Sequence, residues 1–94
     1  MFALDEAIRV VGAHGRFGHR KVWLSAVHRA MLLDLSVPAF RAQLLAAHRR
    51  GAVELARADL VAAMNPRLVA ASELVADGAT WHFVVDGRAV APWA

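Results

Sequence analysis

Apolar and polar positions repeat along this chain in two rhythms, one helical and one strand-like. In residues 3–13, "ALDEAIRVVGA", the apolar Leu4, Ile8 and Val11 fall at i, i+4 and i+7, which predicts an amphipathic helix. Asp5 and Glu6 lie in its first turn, where the helix dipole favours carboxylates. Gly12 and Gly15 mark its end, and "KVWL" (21–24) then has strand composition, long enough for one sheet edge. Ser25 is the predicted cap of a short second helix through Met31 or Leu33, burying Val27, Ala30 and Met31. "DLS" (34–36) breaks it. Ser36 as N-cap, Pro38 in the first turn and Gly51 past the end bracket the clearest helix, "VPAFRAQLLAAHRR" (37–50). At about 100° per residue its Val37, Phe40, Leu44 and His48 share one face, with Leu45 at the flank.

The remainder is mixed. "AVEL" (52–55) reads as a strand, and the alanine and leucine content of "ARADLVAAMNPRLVAAS" (56–72) favours helical turns. Within it, Asn65 as cap and Pro66 as first residue predict a short helix. Alternation and the Thr, Trp, Phe and Val content predict a strand at 79–85. Asp86-Gly87 makes a turn, and "RAVAPWA" is a tail. The 94 residues suffice for one domain, 1–94, with its core over about 3–86 and a C-terminal tail over 87–94.

The order is helix, short strand, helix, helix, strand, excursion, strand. It resembles the winged-helix (winged helix-turn-helix) superfamily, in which three helices pack against a small antiparallel sheet and the last two strands form the wing. "SVPAFRAQLLAAHRRGAVEL" looks like the third helix of that fold running into its second strand. The resemblance rests on element order over residues 3–86 and implies an α+β fold. One departure stands out: about twenty residues, predicted helical, separate the last two strands where most wings are short loops. An all-α bundle is the alternative, if "KVWL" and "WHFVV" are helical.

Composition narrows the function classes. Without cysteine there are no disulfides, thiolate zinc sites or cysteine nucleophiles. The longest apolar runs, such as "AMLL" and "LVAAM", are far short of a membrane span. No charged n-region with a long apolar stretch opens the chain, so a soluble cytoplasmic protein is expected. Residues 1–50 hold eight Lys/Arg against three Asp/Glu, and residues 51–94 hold three against five. A basic half suits a face presented to an anion. Arginine also outnumbers lysine ten to one, as a GC-rich bacterial genome would impose without functional cause.

The glycines and cations of "GAHGRFGHRKVWL" (12–24) suggest a phosphate loop, but they follow a helix C-terminus, whose dipole has the wrong sign. They read better as a helix stop and a turn, with Arg16, Arg20 and Lys21 able to touch phosphate as side chains. In winged-helix DNA binders the third helix enters the major groove. Opposite its apolar face this helix presents Ala39, Ala42, Gln43, Ala46, Arg49 and Arg50. Gln43 is the only candidate base reader there, because bidentate recognition needs Arg, Lys, Asn or Gln near the helix start. Arg49 and Arg50 can hold phosphate, and Arg41 can join them. The expected function is therefore a small non-enzymatic module contacting nucleic-acid phosphates non-specifically through Arg16, Arg20, Lys21, Gln43, Arg49 and Arg50. The rival is a protein-interaction or homodimerisation module, using the alanine face (Ala39, Ala42, Ala46), the 56–72 insert or Trp93.

Other chemistry is weakly supported. His14, His19, His28, His48 and His82 are not at metal-ligand spacing, so no metal or other cofactor is expected. His48 reads as a half-buried core histidine bonded to a carbonyl. His82, alternating with Trp81 and Phe83, reads as outward-facing if those two point inward. Ser25, His28 and Asp34 offer no exposed nucleophile elbow. Glu54, Asp59, Glu73, Asp77 and Asp86 are scattered rather than paired for acid–base work. Arg57 reads as a local ion pair with Asp59 or Glu73 rather than a phosphate contact. No small-molecule substrate is evident.

Overall fold

The computed structural model describes residues 3–31, 35–59 and 61–87. Asp34, Trp93 and all of the expected tail except Gly87 lie outside them. The fold is α+β. Helix α1 (Leu4–Val10) leads through a 3-10 turn (Ala13–Gly15) to strands β1 (Arg16–Phe17) and β2 (Lys21–Trp23). Helices α2 (Leu24–Met31) and α3 (Val37–Arg49) follow, then β3 (Leu55–Ala56). The excursion holds a 3-10 turn (Val61–Ala63) and helix α4 (Pro66–Ser72), and β4 (Leu74–Ala76), β5 (Ala79–Trp81) and β6 (Phe83–Val85) complete the order.

The main sheet runs β1-β2-β6-β3, and every pairing in it is antiparallel. "KVWL" is therefore not a sheet edge. Gly18, at φ 75°, lets the chain fold back so that Arg16 faces Val22 and Phe17 faces Lys21. On its other side β2 pairs with β6, Val22 opposite Val84 and Trp23 opposite Phe83.

The expected strand at 79–85 is broken at His82. Before it, β5 pairs with β4 in a separate hairpin; after it, β6 joins β2 and β3. The hairpin turn is Asp77-Gly78, with φ of 52° and 78°, positive at both central positions as a two-residue turn of this hand needs. The strand "AVEL" is also displaced, because residues after Gly51 (φ 79°) are still turning and pairing starts only at Leu55. Ser25 does not cap α2. That helix starts one residue earlier, directly from β2, and tertiary partners satisfy its first N–H groups. Leu24 N–H donates to the His82 carbonyl (3.1 Å) and Ser25 N–H to Ser72 Oγ (3.1 Å). The caps expected for α3 and α4 are present: Ser36 Oγ accepts from Ala39 N–H and Asn65 Oδ1 from Arg67 N–H.

Alternation along the sheet divides the core. Val22 and Val84 join Leu4, Ala7, Ile8, Val27, Met31, Phe40 and Leu44 in one cluster under α1, α2 and α3. Trp23 and Phe83, rings 4.3 Å apart, join Ala58 and Met64, with Leu68 and Val69 packed alongside. The excursion thus supplies the cover for the second apolar face of the sheet.

Candidate nucleic-acid interface

The six residues assigned to phosphate or base contact from sequence take different positions in the fold. Arg16 is 13% exposed and fully occupied within the protein. Its Nε donates to the Val11 carbonyl (2.8 Å), Nη1 to the His19 carbonyl (2.8 Å) and to Asp86 Oδ2 (2.9 Å). Nη2 donates to the carbonyls of Ile8 (2.9 Å) and Arg9 (3.1 Å). A guanidinium has five N–H donors, so none is left for a phosphate. Ile8 and Arg9 are in the last turn of α1, whose end attracts a cation by both its free carbonyls and its dipole. Arg16 is a helix cap and a clasp to Asp86.

Lys21 is half-buried, its Nζ 5.7 Å from the Phe83 ring centroid. Arg20 is exposed, on an open groove of about 460 Å3 that it shares with Asp5, Glu54 and Asp86. Asp86 is engaged by Arg16, and the exposed Asp5 and Glu54 outnumber the one cation, which makes that groove poorly suited to an anion.

On α3, Arg49 makes a two-point contact with the hairpin turn: Nε donates to Asp77 Oδ2 (3.1 Å) and Nη2 to Asp77 Oδ1 (2.8 Å). These hydrogen bonds hold the Asp77 carboxyl below its ordinary range and push the Arg49 guanidinium further up. Arg41 Nη2 donates to the Glu73 carbonyl (2.8 Å). Arg49 thus holds the hairpin turn and Arg41 the end of α4, though both remain exposed. The strip left open carries Ala39, Ala42, Gln43, Ala46 and Arg50, all exposed. No carboxylate occurs in α3.

No protein-family model, curated protein or solved structure matches this chain.

Several expectations about single residues change. His82 is buried, not outward: its Nδ1 accepts from Ala58 N–H (3.1 Å), its backbone N–H donates to the Ala56 carbonyl (2.9 Å), and the strand breaks at this residue. His48 is half-buried as expected, but it packs on Trp81 (5.4 Å between rings), and its Nδ1 meets no carbonyl among the described residues. His28 donates from Nε2 to the Leu35 carbonyl, and Ser25 Oγ accepts from Ser72 Oγ, so the two do not form a couple. Arg57 lies 3.9 Å from Asp59, both well exposed. Among the described residues no three His, Asp or Glu gather as a metal set, and no helix is long and apolar enough to cross a membrane.

Two cations escaped the sequence reading. Arg29 on α2 and Arg67 on α4 line one groove of about 540 Å3. Each sits at an exposed helical position, which is the only sign visible in the sequence. Their meeting depends on α4 packing against α2.

Proposed function

We propose that this chain is a small, non-enzymatic, winged-helix-like module that contacts nucleic-acid phosphates without reading sequence. The strand order β2-β6-β3 behind α1, α2 and α3, with β3 and β6 paired antiparallel, supports the winged-helix resemblance. The observation that carries the functional reading is the open strip of α3, uncovered by any described element, free of carboxylate and ending in Arg50. Its single polar reader, Gln43, sits among alanines, so contacts there would orient a duplex rather than discriminate bases. Arg16 has no part in this surface, Arg20 and Lys21 face other groups, and Arg49 acts through the hairpin.

The test is fluorescence anisotropy with a labelled duplex at about 50 and about 200 mM salt. Each neutralised phosphate predicts about a three- to fourfold loss of affinity between them. Absence of binding at tens of micromolar protein in the lower salt would overturn the reading.

A second reading, a protein-interaction or self-association module, is favoured by a different observation. The α3 strip is mostly alanine, and Val37 and Val75 are 47% and 69% exposed. Sedimentation of the wild type and of Ala42→Glu/Ala46→Glu checks it: a dimer that the double variant abolishes supports it, and a monomer at all concentrations removes self-association.

A further inference from the structure

We infer that the groove between α2 and α4 is a phosphodiester-binding site, with Arg29 and Arg67 as its two cations. This rests on the nucleic-acid reading above and names where the backbone is held. The two arginines are 38 positions apart in sequence, and both line the groove of about 540 Å3. Neither guanidinium donates to another described residue, in contrast to Arg16, Arg41 and Arg49.

The other polar groups on the groove are turned so that it offers donors. Asn65 Oδ1 is occupied by Arg67 N–H (2.9 Å), which leaves its NH2 end to donate. Ser25 Oγ is bonded to Ser72 Oγ (3.1 Å). His28 Nε2 is committed to the Leu35 carbonyl. No carboxylate lines this groove, unlike the one around Arg20. Two fixed-charge forks beside neutral donors, with Leu68 on the wall, match a phosphate oxygen pair with its apolar sugar.

Position ties the groove to α3. Ser25, His28 and Ala71 also line a smaller cleft, of about 60 Å3, that reaches Val37 and Arg41. A backbone held between Arg29 and Arg67 therefore lies beside the N-terminal flank of α3 at Val37 and Arg41, with Glu73 also lining that cleft. The excursion between β3 and β6 then has a second use. Besides covering the sheet, it brings Arg67 opposite Arg29, where a short wing loop would bring nothing.

The experiment compares the wild-type chain, Arg29→Ala/Arg67→Ala and Arg20→Ala in the duplex anisotropy assay across salt. Loss of two phosphate contacts lowers the slope of log affinity against log salt by about 2, and Arg20→Ala leaves it unchanged. Arg29→Lys/Arg67→Lys restores most of the slope, since charge is kept. Both sites are exposed, so the melting temperature of the double alanine variant should match wild type. A wild type that binds duplex beside a double variant with unaltered slope overturns the groove and leaves the nucleic-acid reading standing. A wild type that binds no duplex overturns both. Competition by polyglutamate as strong as by unlabelled duplex, charge for charge, would make the groove a general anion site and overturn the phosphodiester assignment.

Discussion

Two arginine–aspartate pairs tie distant parts of this chain together, and both arginines look alike in sequence, each basic and beside a glycine or another cation. Arg16 and Asp86 are 13% and 7% exposed and meet at 2.9 Å, and the guanidinium spends its other donors on four carbonyls. Arg49 and Asp77 meet at 2.8 Å with better carboxylate geometry, but they are 59% and 46% exposed. Contact distance does not separate the two pairs. Surroundings do. Removing the guanidinium of the poorly hydrated pair takes an ion pair and the donors of four carbonyls at once, whereas water replaces the lost contact at the surface. The first pair closes the fold, and the second positions a hairpin against α3.

The largest test of this contrast is Arg16→Ala. It should cost about 3 kcal/mol in a denaturant titration, because the carbonyls at the end of α1 and of His19 lose their donor together with the Arg16–Asp86 ion pair. A loss below about 1 kcal/mol would put this pair in the same class as the exposed one.

Gly15→Ala probes the same clasp without touching its charges. A Cβ there would lie 2.2 Å from Val11 Cγ1 and 2.8 Å from the Ala26 Cβ, so the loop must shift away from α2. Overpacking of this kind costs about 1–3 kcal/mol, and it displaces Arg16 from the carbonyls it caps. Unchanged stability would mean that the loop, and with it the clasp, relaxes freely.

The smallest effect is expected at Asp77→Asn, which should leave the melting temperature at neutral pH close to wild type. Its sign is nevertheless defined. The Arg49 hydrogen bonds lower the Asp77 pKa in the folded state. The contribution is thus present above the ordinary carboxylate range and lost as pH falls through the folded pKa. Any stability difference between wild type and Asp77→Asn should shrink on acidification and with added salt. A difference that grows on acidification would reverse the assignment.

Local signals were legible where the chain satisfies itself. Ser36 with Pro38 and Gly51 bracket α3, and Asn65-Pro66 starts α4, because caps and helix stops act within a few residues. The Asp77-Gly78 turn carries an equally local signal, as strong as that of Asp86-Gly87, and the β4–β5 hairpin follows from it. The strand break at His82 is different in kind. A run of alternating apolar residues looks the same whether it keeps one partner strand or changes partner midway, and only the acceptor needed by Ala58 N–H makes a buried histidine favourable there.

For the candidate site the division is sharper still. A cationic first half, the lack of cysteine and an alanine-faced third helix without carboxylates are all written in the residue order. Which cations are available depended on folding. Arg16 was drawn inward by the unpaired carbonyls of α1, Arg49 was engaged by a turn 28 residues on, and Arg29 was brought to Arg67 by packing of α4 on α2. The physical reason is that a guanidinium is long and has five donors, so its use is set by whichever acceptors the folded backbone leaves within reach.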